Sequence, residues 1–427
     1  MRAITVALVV LATAGGAQQT PAQTIDYAAR TTITYESVDR TGVVNFAPRA
    51  LVEFNPAWTG YARARVFVPS KRTAPFDLNE PDFAAPAKAF AGINELWIQY
   101  NGLTSYPGEA VRLGRQRIRQ TDSEWWDQDA EALRWIFATT LLHADVGIAH
   151  PSLTLRTDHA DLPVARSDRN YWFGNIAMDL RAQNTLGFRV TRADSTVSAE
   201  QLTWLGLYAD NGFHTILGAD RRWSYGAAAN HLSGAGVSAW QAGAAARWRP
   251  VSRGPLQLGG GYTWSEGGAS GGRSHQYEQT GMQSNTSYFT GTHTLIGRYN
   301  EVLRPELGNL VVATGFASLT FTANDASLVV SKFQKDSGRA AIVTGHPTLV
   351  PVNDDPDLGN GVDLVFTHYF ARDKRPQRLL DRGDAFTAPE RRSLISVRAS
   401  FFDPGRAYGP AARPDHRILL ETTLWLN

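Results

Sequence analysis

The stretch GRQRIRQTDSEWWDQD, Gly114–Asp129, runs Arg115, Arg117 and Arg119 into Asp122, Glu124, Asp127 and Asp129 around Trp125 and Trp126. Such residues could do three kinds of chemistry. Two carboxyls about 5 to 10 Å apart could flank a glycosidic bond. A basic run beside aromatics could hold a nucleic acid. Arginines along one face of a strand could line an anion path. Neighbouring acids in a loop read as solvated rim charges, so the pair Glu124 and Asp127 or Asp129 is a weak catalytic candidate. The 10 histidines help little. His143, His293 and His368 fall in separate predicted strands without partner spacing, and no GxSxG turn accompanies the serines. No HExxH, Walker or dinucleotide motif is present. No catalytic set, cofactor or metal site is predicted.

Whatever these side chains do depends on what positions them. The chain opens MRAITVALVVLATAGGAQ, with one basic residue, a short apolar run and small residues. That is the layout of a secretory signal ending near Ala17, and it implies an exported chain with residues 18–427 as one domain. No later apolar run reaches the roughly 18 residues of a membrane helix. There are 42 basic against 40 acidic residues and no cysteine. The charge balance argues against nucleic acid as a partner. The missing cysteines exclude thiolate metal sites and disulfides. With 38 glycines, 12 tryptophans and 14 tyrosines, the composition suits an all-β chain.

Period-two alternation recurs. In YARARVFV, Ala62, Ala64, Val66 and Val68 share one face, and Tyr61, Arg63, Arg65 and Phe67 the other. Val311, Ala313, Ala317 and Leu319 alternate with Thr314, Ser318 and Thr320, and Ile395, Val397 and Phe401 with Ser396, Arg398 and Ser400. Alternation over about 8 to 12 residues is a strand signature. These runs exceed the 5 to 6 residues or so of a soluble sheet and match the 9 to 11 or so of a transmembrane strand. Trp172, Trp204, Trp240, Trp248, Trp264 and Trp425 sit near predicted strand ends, as an interfacial girdle requires. Long breaks at Ser70–Ala91, Pro151–Arg169, Ser265–Ser287, Asp336–Leu358 and Arg372–Glu390 alternate with short ones. HRILLETTLWLN supplies a closing strand, ending in Asn427. The expectation is a transmembrane antiparallel β-barrel of about 18 strands, monomeric, with an aqueous lumen.

A charge on the lipid face costs about 2 to 4 kcal/mol near the midplane. Parity therefore sends Arg63, Arg65, Arg134, Arg189, Lys332 and Arg398 inward, with Glu53, Glu95, Asp145, Asp179 and Asp363. Arg115 and Arg117 are assigned to the inward face of their own strand. These residues either form an anion filter or brace one another across the lumen. Trp125 and Trp126 read as interface anchors or as a stacking surface for sugar rings.

In this pattern the chain resembles the alginate export porins of Gram-negative outer membranes. The likeness is densest from INELWIQYNGLTSYPGEAVRLGRQRIR through WWDQDAEALRWIFATTLLHADVGIAH, and continues in QTGMQSN, RPELGNL, DASLVVSKF and FFDPGRAYGP. The resemblance implies passive export of a polyuronate through an Arg-lined constriction in the outer membrane. It implies a lipid and lipopolysaccharide surround and periplasmic polymer-delivery proteins as partners. It assigns constriction arginines at Arg117 and Arg304 and pore acids at Glu95, Asp127 and Asp158. Other basic positions of the family fall on Thr32, Ala47, Asn94, Leu295 and Ser396, with Arg49, Arg63 and Arg65 as expected replacements. Uptake of small acidic sugars and a barrel hydrolase are the alternatives.

Overall fold

A computed structural model describes residues 24–37, 40–70, 89–151, 157, 169–180, 184–196, 198, 200–215, 221–234, 236–338, 340–346, 349–370 and 393–426. The signal segment 1–17, Asp158, and most of the breaks at Ser70–Ala91, Pro151–Arg169 and Arg372–Glu390 lie outside these residues.

Eighteen antiparallel strands form a closed barrel. The shortest, Leu142–His150, has 9 residues and the longest, Thr41–Asn55, has 15. Closure comes from Thr24–Glu36 pairing with Asp415–Leu426, Ala29 opposite Leu426 through Glu36 opposite Leu419. The predicted closing strand is therefore the seam, and it leaves neither terminal strand as an open edge. Outward positions are apolar and exposed, as in Leu328 and Val330 or Leu364 and Phe366. Trp172 and Trp240 project outward from the wall, at 56% and 51% exposure. Short connections such as 56–57, 139–141 and 321–323 lie at the end that holds both termini; 266–309 and 335–356 lie at the other. By the asymmetry of outer-membrane barrels, the end carrying 266–309 and 335–356 is external; the long break at Arg372–Glu390 departs from that rule, because it joins Asp357–Tyr369 to Leu394–Pro404 at the end that holds the termini.

Two external segments enter the lumen. The strand Glu109–Arg119 pairs with Phe90–Tyr100 only from Val111 to Arg115. Its hairpin partner Asp127–Ala138 pairs with Leu142–His150 only from Glu131 onward. The two remain paired with each other as far as Arg119 opposite Asp127. Residues 116–130 thus leave the wall as an intact hairpin tip. Gly114, at φ 124°, stands where the tip departs. A Cβ there would meet the Leu96 carbonyl oxygen and approach the Trp97 Cα to 2.9 Å, so only glycine allows this close approach of backbones.

The second segment is residues 266–309. The Trp204 indole donates to the Glu278 carbonyl oxygen at 2.8 Å, the Tyr171 hydroxyl to that of Thr280 at 2.9 Å, and the Asn300 amide to Asp363 at 3.1 Å. The break predicted at Ser265–Ser287 therefore extends to Asn309, and His293 lies in it rather than in a spanning strand. Tip, segment and wall close over one apolar core, with Trp125, Trp126, Tyr171, Trp204, Tyr277, Met282, Leu303, Phe333 and Phe402 at its centre.

Candidate functional site

The tip is anchored by packing and charge. Trp126 is wholly buried, meets Tyr171 edge-on at 5.3 Å between centroids, and donates to the Thr191 hydroxyl at 3.0 Å. Trp125 is 1% exposed and lies under the Arg189 guanidinium, 4.4 Å from the ring centre. Neither indole is an interface anchor or a sugar-stacking surface; both are core residues of the docked tip. Arg189, inward on the strand Asn184–Ser195, bonds Asp122 at 2.7 Å and reaches Glu124 at 3.5 Å. Glu124 also pairs with Arg298 of the second segment at 2.8 Å. Burial alone would raise the Asp122 carboxyl, but the charges of Arg189 and Arg298 outweigh it and hold it at about 2. Burial and then Arg298 push the His214 imidazole down to about 3, so it is neutral.

On the other side the tip faces a charged arc of wall. Arg63 Nε lies 2.9 Å from Glu95, and its Nη2 lies 3.2 Å from Asp129 at the root of the tip. Asn94 donates to the same Asp129 carboxylate at 3.2 Å. Glu95 accepts the Arg117 backbone N–H at 3.1 Å, bridging the gap where the strand ladder has parted. The Arg117 guanidinium pairs with Asp127 at 2.7 Å, Arg119 lies 3.7 Å from it, and the Ser284 hydroxyl donates to it at 2.6 Å. Arg63, Glu95, Arg117, Asp127 and Asp129 thus form one alternating network of cations and carboxylates.

A second cluster lies where residues 296–306 meet the last strands. Arg398 is inward, 3.7 Å from Glu301. Arg417 pairs with Glu36 at 2.6 Å and donates to the Glu301 carbonyl oxygen at 3.4 Å. Arg304 has a left-handed backbone, φ 43°, and donates to the Gly345 carbonyl oxygen at 3.4 Å. The isolated bridge from Pro305 to Thr344 holds that loop beside it.

Parity arguments meet three corrections. Lys332 shares a face with the exposed Leu328 and Val330, and forms an outer-rim ion pair with Asp357. It sits at a strand end, where an outward charge reaches water or headgroups. Arg115 shares its face with the exposed Leu113 and lies across from Leu96; it pairs with Glu131 at 2.7 Å. Arg112 is the inward arginine of that strand within the wall, donating to Gln99 at 2.9 Å. Arg117 shares the outward parity of Arg115, but its strand has already left the wall, so that face turns to the lumen. Arg65 is inward yet only 2% exposed, stacked on Phe67 at 4.9 Å and bonded to Asn45 at 3.1 Å. It braces the wall.

Sequence reasoning missed the anchoring roles of Asp122, Glu124, Arg298 and Arg417. The available signal was two tryptophans inside an acidic loop, too apolar to be left in water, and a long segment without period two. Among the positions where the resemblance finds no basic residue, Asn94 donates into the charged network, and Ala47 lies directly across from Arg30. Arg49 lies across from Arg63, with its guanidinium 4.4 Å from the Trp425 ring centre.

The family model described as alginate export matches residues 26–417. Relatives include the alginate production protein AlgE of Pseudomonas aeruginosa, 33% identical over 366 residues covering 77% of this chain and 73% of that protein. The AlgE of Azotobacter vinelandii is 31% identical, covering 82% and 80%. Among solved structures, Pseudomonas aeruginosa OccD3 (OpdP) has a TM-score of 0.56 at 8% identity, covering 97% of this chain and 93% of that one. That likeness shows the barrel fold.

Proposed function

We propose that this chain, which belongs to the alginate-export family, lets alginate or a related polyuronate leave the cell by passive diffusion through its outer-membrane barrel. What carries the reading is the charged network at the tip. Its arginines are held in place by carboxylates, Arg117 by Asp127 and Arg63 by Glu95 and Asp129. A uronate carboxylate approaching Arg117 or Arg63 can take over part of a charge-assisted hydrogen bond that already exists. It enters by exchange and leaves by exchange, which keeps binding shallow enough for conduction. Unpaired guanidiniums would hold a polyanion too long.

Arg304, Arg398 and Arg417 serve the same purpose in the second cluster, and Arg30 and Arg49 continue the path along the wall between the two. The barrel works as a monomer, and periplasmic proteins deliver the polymer. The channel is a conduit, with the driving force supplied by synthesis or a gradient.

Planar-bilayer reversal potentials test this. Wild type should favour anions, and added polyuronate should lower the current. Arg117→Glu and Arg304→Glu should each shift selectivity toward cations and weaken the block. Cation preference in wild type, unmoved by either change, would overturn the proposal. A deletion strain should retain polymer in the periplasm.

A further inference from the structure

Between the docked tip and the wall lies a cavity of about 70 Å³, at the lumen's short-turn side. Its floor is formed by inward positions with almost no side chain, Gly226 and Ala228, Gly243 and Gly261, on three neighbouring strands. Farther along the same wall, Trp204 and Leu232 pack tightly into the core. The run of small residues therefore leaves a hollow that the apolar core does not fill. At about 10–15 Å³ per water it holds about five waters, enough to seat one edge of a pyranose ring while the rest projects into the open lumen.

The polar groups around it select by chemistry. Asp122 and Glu124 are already matched, by Arg189 at 2.7 Å and Arg298 at 2.8 Å. Asp210 is not. Its Oδ1 accepts the Gly212 N–H, while its buried Oδ2 has no hydrogen-bond partner among the described residues. A buried acceptor without a donor is costly, so the pocket lacks an O–H or N–H. With Asp122 and Glu124 offset by Arg189 and Arg298, a carboxylate, which only accepts, would leave Asp210 Oδ2 unmet and place a second negative charge beside it. An apolar ligand would leave Oδ2 unmet. A sugar ring can lie on the glycine floor, against Phe316 and Tyr299, and present hydroxyls to the acids.

We propose that this pocket binds a single neutral sugar or polyol unit, with a ligand hydroxyl donating to Asp210 Oδ2. The site is separate from the charged network of the conduit, and its preference for an uncharged ligand is opposite.

The test is saturation-transfer difference NMR on the full chain in detergent micelles, with D-glucose and D-glucuronate as probes and ammonium chloride as competitor. Glucose should receive saturation from wild type, and glucuronate should not. Ala228→Phe, which fills the hollow, should abolish the signal. Asp210→Asn, which keeps the shape, should weaken binding at least about tenfold. Heat-modifiable migration on gels checks that each variant is a closed barrel; if Ala228→Phe fails it, Asp210→Asn decides. Absence of glucose binding, its survival in the folded variants, equal binding of glucuronate, or displacement by ammonium would each overturn the assignment. Anion selectivity in bilayers is read separately, so this site and the export reading can fail independently.

Discussion

From Tyr171 round to Phe402 the inward side chains include Phe173, Trp204, Leu232 and Phe333, sealed beneath the hairpin tip and residues 266–309. From Arg417 through Glu36 and Arg49 to Arg63 the same inward parity carries charge. Both arcs obey the rule of apolar outside and alternate inside. They differ in what faces them. Where an apolar loop folds against the wall, inward positions become a protein core and are excluded from conduction. Where the tip presents Arg117, Asp127 and Asp129, inward positions remain polar. A lumen-facing residue is thus not yet a pore residue; the loop opposite decides.

The comparison breaks most severely at Trp126. Trp126→Ala should destabilise the protein by about 3 to 5 kcal/mol, read as a lower urea midpoint in detergent, and should give larger, noisier single-channel currents as the tip loosens. Unchanged conductance would show that packing does not hold the tip. Arg189→Leu should come close, because removing one partner of a buried pair leaves Asp122 and Glu124 uncompensated. Next is Gly114→Val, expected to cost about 1 to 3 kcal/mol by forcing a β-branched residue into a glycine-only backbone; the tip should then show faster amide exchange than the rest of the hairpin.

In the charged arc, Arg63→Ala should cost less stability and change selectivity instead, moving the reversal potential toward cations because Glu95 and Asp129 lose their partner. The smallest effect is expected at Lys332→Ala, about 0 to 1 kcal/mol with no change in selectivity, since its pair lies on the outer rim.

Acid sharpens the same contrast. His214 has its imidazole depressed to about 3 from an ordinary 6.5, so it stays neutral when folded while the unfolded chain takes up a proton. Its contribution is full above about pH 6.5 and is lost progressively as pH falls toward 3. Asp122, depressed to about 2 from 3.8, adds its own loss only below about pH 4. Between about pH 6.5 and 4 the His214 contribution should therefore be lost, so the urea midpoint of His214→Gln should fall less across that window than that of wild type. A profile unchanged by the substitution would exclude His214 as the cause.

Sequence alone determined the barrel. Alternation in YARARVFV and in the last strand is a local property, because successive side chains on a strand point to opposite faces. A lipid exterior then forces the apolar set outward, and Arg63, Arg65, Arg189 and Arg398 are indeed inward. The tertiary structure alone decided which of them meet a partner across the lumen. Nothing within Gly114–Asp129 says that the strand ladder parts at Arg115. Nothing there says that Trp126 crosses to Thr191, or that Arg189 receives Asp122. Those contacts join residues 65 and 67 positions apart. Period two fixes a side chain's face only while its strand stays in the wall. Once the hairpin turns inward, the face called outward at Arg115 becomes lumenal at Arg117, and only the packing of distant loops sets where that happens.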